Sequence, residues 1–322
     1  MKQIILAISL LLLLTMFGCG KSQGSLEKVS VTLDWTPNTN HTGLYVAQEL
    51  GYFTEEGLEV EILQPGQSIT DQIVATGKSH FGVSYQENVI RARSVGIPLV
   101  SIAAVIQHNT SGFASLKEAN IKSVKDFEGK RYGSWDSPSE LAILNNVMET
   151  AGADITKVKV ISGVYDFFST IGKDADFEWI YYGWDGVIAA QRGVELDYIP
   201  LKDLNPVFDY YTPVLISSEN YLKDNAKTAK KFLKAVKRGY EYCILKPEEA
   251  ADILIKHVPE LNKQQVQASV HYLADQYQAE AEYWGMQLPG VWQSFSNWMS
   301  DEKLIAEPID IDQAYTNEYL QP

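Results

Sequence analysis

The chain has 322 residues, with 27 Lys and Arg against 41 Asp and Glu, a formal charge of −14. Hydrophobic residues make up 45% and charged residues 21%, a globular balance that excludes disordered, collagen-like and coiled-coil chains and leaves room for one large domain or two of ordinary size. The acidic excess argues against nucleic acid, whose phosphates need clustered Lys and Arg, and against adhesion to anionic membrane through a basic patch.

Lys2 precedes an apolar run from Ile4 to Phe17, broken only by Ser9 and Thr15. A charged start and a short apolar middle form a secretory signal, too short to span a bilayer, which takes about 20 apolar residues. Gly18-Cys19 resembles a bacterial lipobox, in which the Cys is acylated and becomes the new N-terminus. The expectation is a signal peptide over 1–18, a lipid on Cys19 and a polar Gly/Ser-containing tether over 19–28. That would anchor the protein on the extracytoplasmic face of a bacterial cell membrane. An ordinary signal peptide with an unmodified Cys is the alternative. Cys243 is the only other cysteine, so acylation of Cys19 precludes an internal disulfide. Ala229, Phe232, Leu233, Val236, Tyr240 and Cys243 fall on one face of a helix over 227–245, which makes Cys243 a buried small hydrophobe.

From Val29 onward, β-rich runs alternate with helical segments. Strands are expected at 29–34, 58–63, 80–84, 99–106, 130–134, 158–162, 178–182, 196–199 and 213–217. Helices are expected near 41–50, 69–77, 86–95, 138–150, 165–172 and 185–192, and the chain beyond 219 is mostly helical. Such alternation implies βαβ units and largely parallel sheets. Gly- and polar-rich breaks at 108–120 and 203–213 suggest a middle lobe (116–207) inserted into a first lobe made of 29–115 and 208–322. Two crossings between lobes would permit hinge closure; a single doubly wound domain with helical decoration fits the periodicity nearly as well.

G-x-S-x-G, H-E-x-x-H, Walker A and G-x-G-x-x-G motifs are absent, and His41, His80, His108, His257 and His271 have no partners at familiar metal spacing. No metal, cofactor or catalytic residue is expected. Leu33 and Asp34 end a strand, Pro37 makes a turn, and a helix opens near Asn40 or His41. Loops at the carboxyl ends of parallel strands are where α/β sheets place ligands, which aims Trp35, Asn38 and His41 at any cleft. A core Trp and turn-building Asn residues account for the same spacing equally well.

The stretch D-W-x-P-N-x-x-H-x-G-x-Y-V-A from Asp34 to Ala47, followed by GYF (51–53) and GLEVEI (57–62), resembles the family of binding proteins for pyrimidine precursors of thiamin, the formylaminopyrimidine-binding type. Their relatives are the pyrimidine-phosphate synthases of thiamin biosynthesis and the nitrate, sulfonate and taurine binding proteins. The resemblance continues through 77–107, DFEGKRYGSWDSPSE (126–140) and FLKAVKRGYEY (232–242). It implies a two-lobed type II periplasmic binding protein fold, α/β, each lobe a mostly parallel sheet flanked by helices. It also implies a monomer that captures an aminopyrimidine and delivers it to the permease and ATPase of an ABC importer.

The family's ligand-facing segments carry over onto four turns. Trp35, Asn38 and His41 belong to the first, Tyr85, Gln86 and Glu87 to the next, and Ser134 and Trp135 (with Asp136) to the third. Tyr182, Trp184 and Asp185 follow the strand EWIYY, Asp185 standing where relatives often have Glu. Aromatic plates suit a flat heterocycle, and Glu87 or Asp185 would accept from its amino edge, with Asn38, Gln86 and Ser134 left for a formamide. Both acids also stand at helix starts, where a capping role is open. Trp179, Tyr283 and Trp284 are expected to pack, and Trp292, Phe295 and Trp298 to dock one helix face on the core. A nitrate, sulfonate or taurine binder is the first alternative, a synthase the second, and a secreted receptor or structural lipoprotein without a small ligand the third. The synthases are cytosolic, with a His where Asn88 stands and a Cys-rich segment.

Overall fold

The computed structural model describes residues 25–66 and 69–320; the expected signal peptide and Cys19 lie outside them. Among the described residues ten strands form two five-stranded sheets. The first has the order β2-β1-β3-β10-β4, from β1 (Glu27–Thr32), β2 (Leu58–Leu63), β3 (Phe81–Ser84), β4 (Leu99–Ala104) and β10 (Val214–Ser218). The second has the order β7-β6-β8-β5-β9, from β5 (Ser111–Leu116), β6 (Arg131–Gly133), β7 (Lys159–Ile161), β8 (Phe177–Tyr181) and β9 (Leu196–Pro200).

In each sheet four strands run one way and the fourth in order runs against them: β10 between β3 and β4, β5 between β8 and β9. The reason is topological. β4 and β9 run toward the cleft, the chain crosses there, and the next strand enters the other sheet from the cleft side, so it must run away from it. β5 was expected to be part of a polar break over 108–120. Its Phe113 and Ala114 are buried in the second sheet, so the crossing lies before Ser111 rather than at 115/116. A short strand whose partners lie between 64 (Ala114 to Glu178) and 88 (Gly112 to Pro200) residues further along the chain carries little local signal.

Six helices matter for the site: α1 (Thr42–Glu49), α2 (Gln86–Ser94), α3 (Pro138–Thr150), α4 (Ala226–Leu245), α5 (Lys263–Tyr277) and α6 (Pro289–Asp301). The apolar face of α4 buries Phe232, Val236, Tyr240 and Cys243 against the first sheet. Phe81 and Phe232 stack at 3.9 Å, and Tyr240 and Trp284 at 4.4 Å. α6 begins at a Pro and turns Trp292, Phe295 and Trp298 inward. Tyr210 of the second crossing stacks on Phe295 at 4.0 Å and Phe208 meets Trp298 edge-on at 5.0 Å, so this crossing is fastened to the helix rather than loose.

The two crossings are also tied to each other. His108 places Nδ1 2.7 Å from Asp209 and Nε2 2.9 Å from Glu280, while the Asn109 N–H donates to the other oxygen of Asp209 at 2.9 Å. The Asp209 hydrogen bond, helped by Glu280 and opposed by partial burial, raises His108 to about 9. Across the cleft rim the lobes touch directly. Gln191 Nε2 donates to the Gln264 carbonyl at 2.7 Å, Arg91 reaches Ser139 Oγ at 2.5 Å, and Ser269 Oγ donates to the Gly183 carbonyl.

α4 crosses α1 at closest range where Gly239 faces Gly43. A β-carbon at 239 would collide with the Gly43 carbonyl oxygen, and one at 43 with the Tyr240 ring. The obstacle at 239 is backbone, which cannot swing aside. Gly239→Ala is expected to lower the unfolding free energy by about 1–3 kcal/mol or more, as overpacking does, read by urea denaturation; an unchanged midpoint would show that the helices can separate at no cost.

Candidate functional site

Between the two sheets, at the cleft-facing ends of the strands, lies a cleft of about 660 Å³, within the range of about 300–1,000 Å³ usual for small-ligand sites. Its walls are aromatic and acidic. Trp35, Tyr85, Trp135, Trp179, Tyr181 and Trp184 line it, as do Asp34, Glu87, Glu178 and Asp185. Among the described lining residues Arg192 is the only cation, its guanidinium 4.3 Å from the centre of the Phe168 ring.

The first-lobe half is organised by Asp34, two residues past the end of β1. Its two oxygens receive His41 Nε2 at 2.6 Å and the Tyr85 hydroxyl at 2.6 Å. His41 Nδ1 accepts the Asn38 N–H at 3.1 Å, so the proton facing Asp34 is on Nε2. Burial opposes charge on Asp34, but the adjacent His41 and the hydrogen bonds from His41 and Tyr85 hold its carboxyl below the usual range. The phenol of Tyr85 is thereby pinned. Trp35 remains 62% exposed, a free indole face at the cleft edge. Glu87 opens α2 and is pushed above the usual carboxylate range by burial, against a hydrogen bond from Tyr210 and the charge of Arg91.

In the second lobe, β8 ends at Tyr181 and passes into a single wide turn, Tyr182–Gly186. That turn sets Trp184 and Asp185 in the wall. Burial pushes Asp185 up to about 6, with neighbouring Asp166 adding to it. Trp135 meets Trp179 edge-on at 5.4 Å. Trp179, expected to pack, does so within the core and also faces the cleft.

Of the eleven candidate ligand residues, Trp35, Asn38, Tyr85, Glu87, Trp135, Trp184 and Asp185 line the cleft. Four are turned to other work. His41 is fully buried on Asp34. Gln86 accepts the Tyr211 N–H at 2.8 Å and donates to the Val291 carbonyl at 3.3 Å, bracing the second crossing. Ser134 donates to Glu140 at 3.0 Å and accepts the Asp136 N–H, building the entry to α3. Tyr182 packs between Tyr198 (4.9 Å) and Tyr272 (5.3 Å). The amide of Asn38, though at the cleft, accepts the Asn40 N–H and donates to the Thr36 carbonyl, which leaves it less to offer a formamide. His41, Ser134 and Asn38 each accept a backbone N–H of their own turn, the first demand a turn makes on its polar groups.

Sequence reasoning missed Asp34, Tyr181 and Glu178. Asp34 could have been found from its place seven residues before His41 in the same motif. Glu178 lies inside a strand, where no turn signal points to it. It is 3% exposed, accepts the Thr170 hydroxyl at 2.7 Å, and burial together with Asp185 and Asp166 raises it to about 8.

Comparison with known proteins matches residues 38–250 to the family model described as NMT1/THI5 like. The formylaminopyrimidine-binding protein of Halalkalibacterium halodurans is 31% identical over 96% of this chain and 97% of that protein. A 4-amino-5-hydroxymethyl-2-methylpyrimidine phosphate synthase of Legionella pneumophila is 27% identical over 91% and 92%. The alkanesulfonate-binding protein SsuA of Xanthomonas axonopodis pv. citri, solved with MOPS, superposes with a TM-score of 0.69 over 91% of this chain and 99% of that one, at 12% identity. These matches bear out the expected resemblance and the two-lobed periplasmic binding protein fold.

Asp34 is the group to test structurally. Asp34→Ala leaves two buried donors without an acceptor and is expected to cost about 1–3 kcal/mol for each. Because its folded value lies below the ordinary 3.8, the carboxylate's contribution is present above that pH and is lost as pH falls through the lower folded value. The stability gap between wild type and variant, measured by urea denaturation, should therefore narrow in acid. A gap that is absent at neutral pH would show that Asp34 does not hold the first-lobe half together.

Proposed function

The chain belongs to the NMT1/THI5-like family, and we propose that it is the solute-binding component of an ABC importer that captures an aminopyrimidine precursor of thiamin, the N-formyl aminomethyl form, between its two lobes. A lipid on Cys19 would hold it on the extracytoplasmic face, where the permease and ATPase complex receives the ligand. The observation that carries this reading is the composition of the cleft: indole and phenol faces around several carboxyl groups, with Arg192 the only cation among the described lining residues. A flat, amine-bearing heterocycle gains roughly 0.5–1.5 kcal/mol per well-placed aromatic pair beyond area burial, and its donors match carboxylate acceptors. A sulfonate or nitrate site would want Arg, Lys or open helix N-termini, and acids occupy those turns here.

Trp35, Tyr85, Trp135 and Trp184 are the proposed plates; Asp185 and Glu87 are the proposed acceptors of the amino edge. The ligand has about a dozen heavy atoms, so a micromolar Kd near −8 kcal/mol asks for roughly −0.7 kcal/mol per atom, inside the small-ligand ceiling near −1.5. That efficiency needs burial from both lobes, so binding should shift the protein toward a closed form.

A second reading, catalysis like that of the synthase relatives, is motivated by the 27% identity noted above. Incubation with iron and pyridoxal phosphate, followed by mass spectrometry for a pyrimidine product, tests it.

Calorimetry with formylaminopyrimidine, taurine and nitrate should show binding of the first alone; heat from either anion instead would transfer the protein to the anion binders. Asp185→Asn removes a charged acceptor and should weaken binding by about 1.5–3 kcal/mol, whereas an unchanged Kd assigns Asp185 to shaping its turn. Small-angle X-ray scattering should show a smaller radius of gyration at saturating ligand, and equal dimensions would end the closure mechanism.

A further inference from the structure

Glu178 is the carboxyl whose surroundings are most particular. It sits in β8 opposite Gly133 of β6. A β-carbon at 133 would stand 2.8 Å from the Glu178 Cγ and 3.0 Å from its Cδ, so a glycine there is what gives the side chain its place in the cleft wall. Oε1 accepts the Thr170 hydroxyl. Oε2 has no hydrogen-bond partner among the described residues, yet it is not one of the polar atoms sealed away without one. It therefore opens on the cleft that Glu178 lines.

The charges near this carboxyl are acidic. Asp166 reaches it from the segment before the 167–170 turn and Asp185 from the turn after β8, while Tyr132 of β6 is the neighbouring titratable group on the adjacent strand. Among the described residues no cation pairs with it. Burial without a cation, beside two other acids, favours the protonated carboxyl, in agreement with its elevation to about 8. The Thr170 hydroxyl, 2.7 Å from Oε1 and also 3.0 Å from the Asp166 carbonyl, remains the donor to Oε1 when the proton is on Oε2, the oxygen that faces the cleft. A carboxylic acid so held is a hydrogen-bond donor, the reverse of what an ionised Glu offers.

We propose that Glu178 is a specificity residue that donates from Oε2 to an unprotonated ring nitrogen of the bound heterocycle, while the ionised acids of the cleft accept from its amine. This rests on the aminopyrimidine reading above and adds to it: the site reads the ring's acceptor lone pair as well as its amino edge. A pyridine analogue carrying C–H at that ring position meets a donor with no acceptor, and is refused for the cost of a buried unpaired group.

The test is calorimetry of wild type, Glu178→Gln and Glu178→Leu with formylaminopyrimidine and its two pyridine analogues, each lacking one ring nitrogen. A Gln amide can accept from Thr170 and donate to the cleft just as the neutral acid does, so Glu178→Gln should bind within about threefold of wild type. Glu178→Leu should bind about tenfold or more weakly, the loss expected for a missing hydrogen bond in a dry site. Wild type should disfavour one pyridine analogue, and Glu178→Leu should lose that preference. Wild-type affinity should also fall from pH 7 to pH 9 as Glu178 ionises, whereas that of Glu178→Gln stays level; this second readout holds even where the Leu variant fails to fold. Equal weakening by Gln and Leu, or a wild-type preference that survives in Glu178→Leu, overturns the proposal while leaving the aminopyrimidine reading intact. Failure of wild type to bind formylaminopyrimidine at all overturns both.

Discussion

Carboxyl groups gathered in an aromatic cleft, with Arg192 the only cation among its described lining residues, set the terms for the rest of the structure. Each must be hydrated, hydrogen-bonded or protonated, because an unpaired charge cannot be buried at tolerable cost. Asp34 takes the second course through His41 and Tyr85. Glu87 leans on Tyr210, and Glu178 takes a hydroxyl from Thr170 while burial holds it above the usual carboxylate range. Asp185 has no side-chain partner as close as these, and sits near the midpoint between charged and neutral at mildly acid pH. A cleft in this condition is uncomfortable when empty and dry. In the proposed function, a ligand that brings several N–H donors would relieve it and so couple occupancy to closure without any further device.

The same constraint explains why fold likeness and site likeness part company. The sulfonate-binding neighbour shares the two-lobed architecture at 12% identity, which is a statement about sheets and crossings. What fills the strand-end turns can change at less cost to the core than the strands themselves.

Much of this was legible in the chain. The amphipathic face of α4, the aromatic face of α6 and most strands follow from periodicity, since they depend on local side-chain pattern. The turns after β1, β3, β6 and β8 meet at the cleft, as strand carboxyl ends are where loops converge. What could not be read is which polar side chain in a turn looks outward. His41, Gln86 and Ser134 have the chemistry of ligand contacts but are consumed by Asp34, the second crossing and Glu140, choices that depend on partners 7, 125 and 6 residues away. Glu178 escaped for the opposite reason: it stands within a strand, and only the glycine on the neighbouring strand shows that room was made for it. β5 escaped because its pairing is wholly non-local.

The reversed strands have a temporal meaning. β10 lies between β3 and β4, which therefore have no direct pairing to fall back on while it is missing. Residues 111–200, by contrast, hold all five strands of the other sheet in one unbroken stretch. A polypeptide growing from its amino terminus thus finishes the sheet it began second before the one it began first. Until residue 218 has emerged, the earlier half stays a gapped, unsealed assembly.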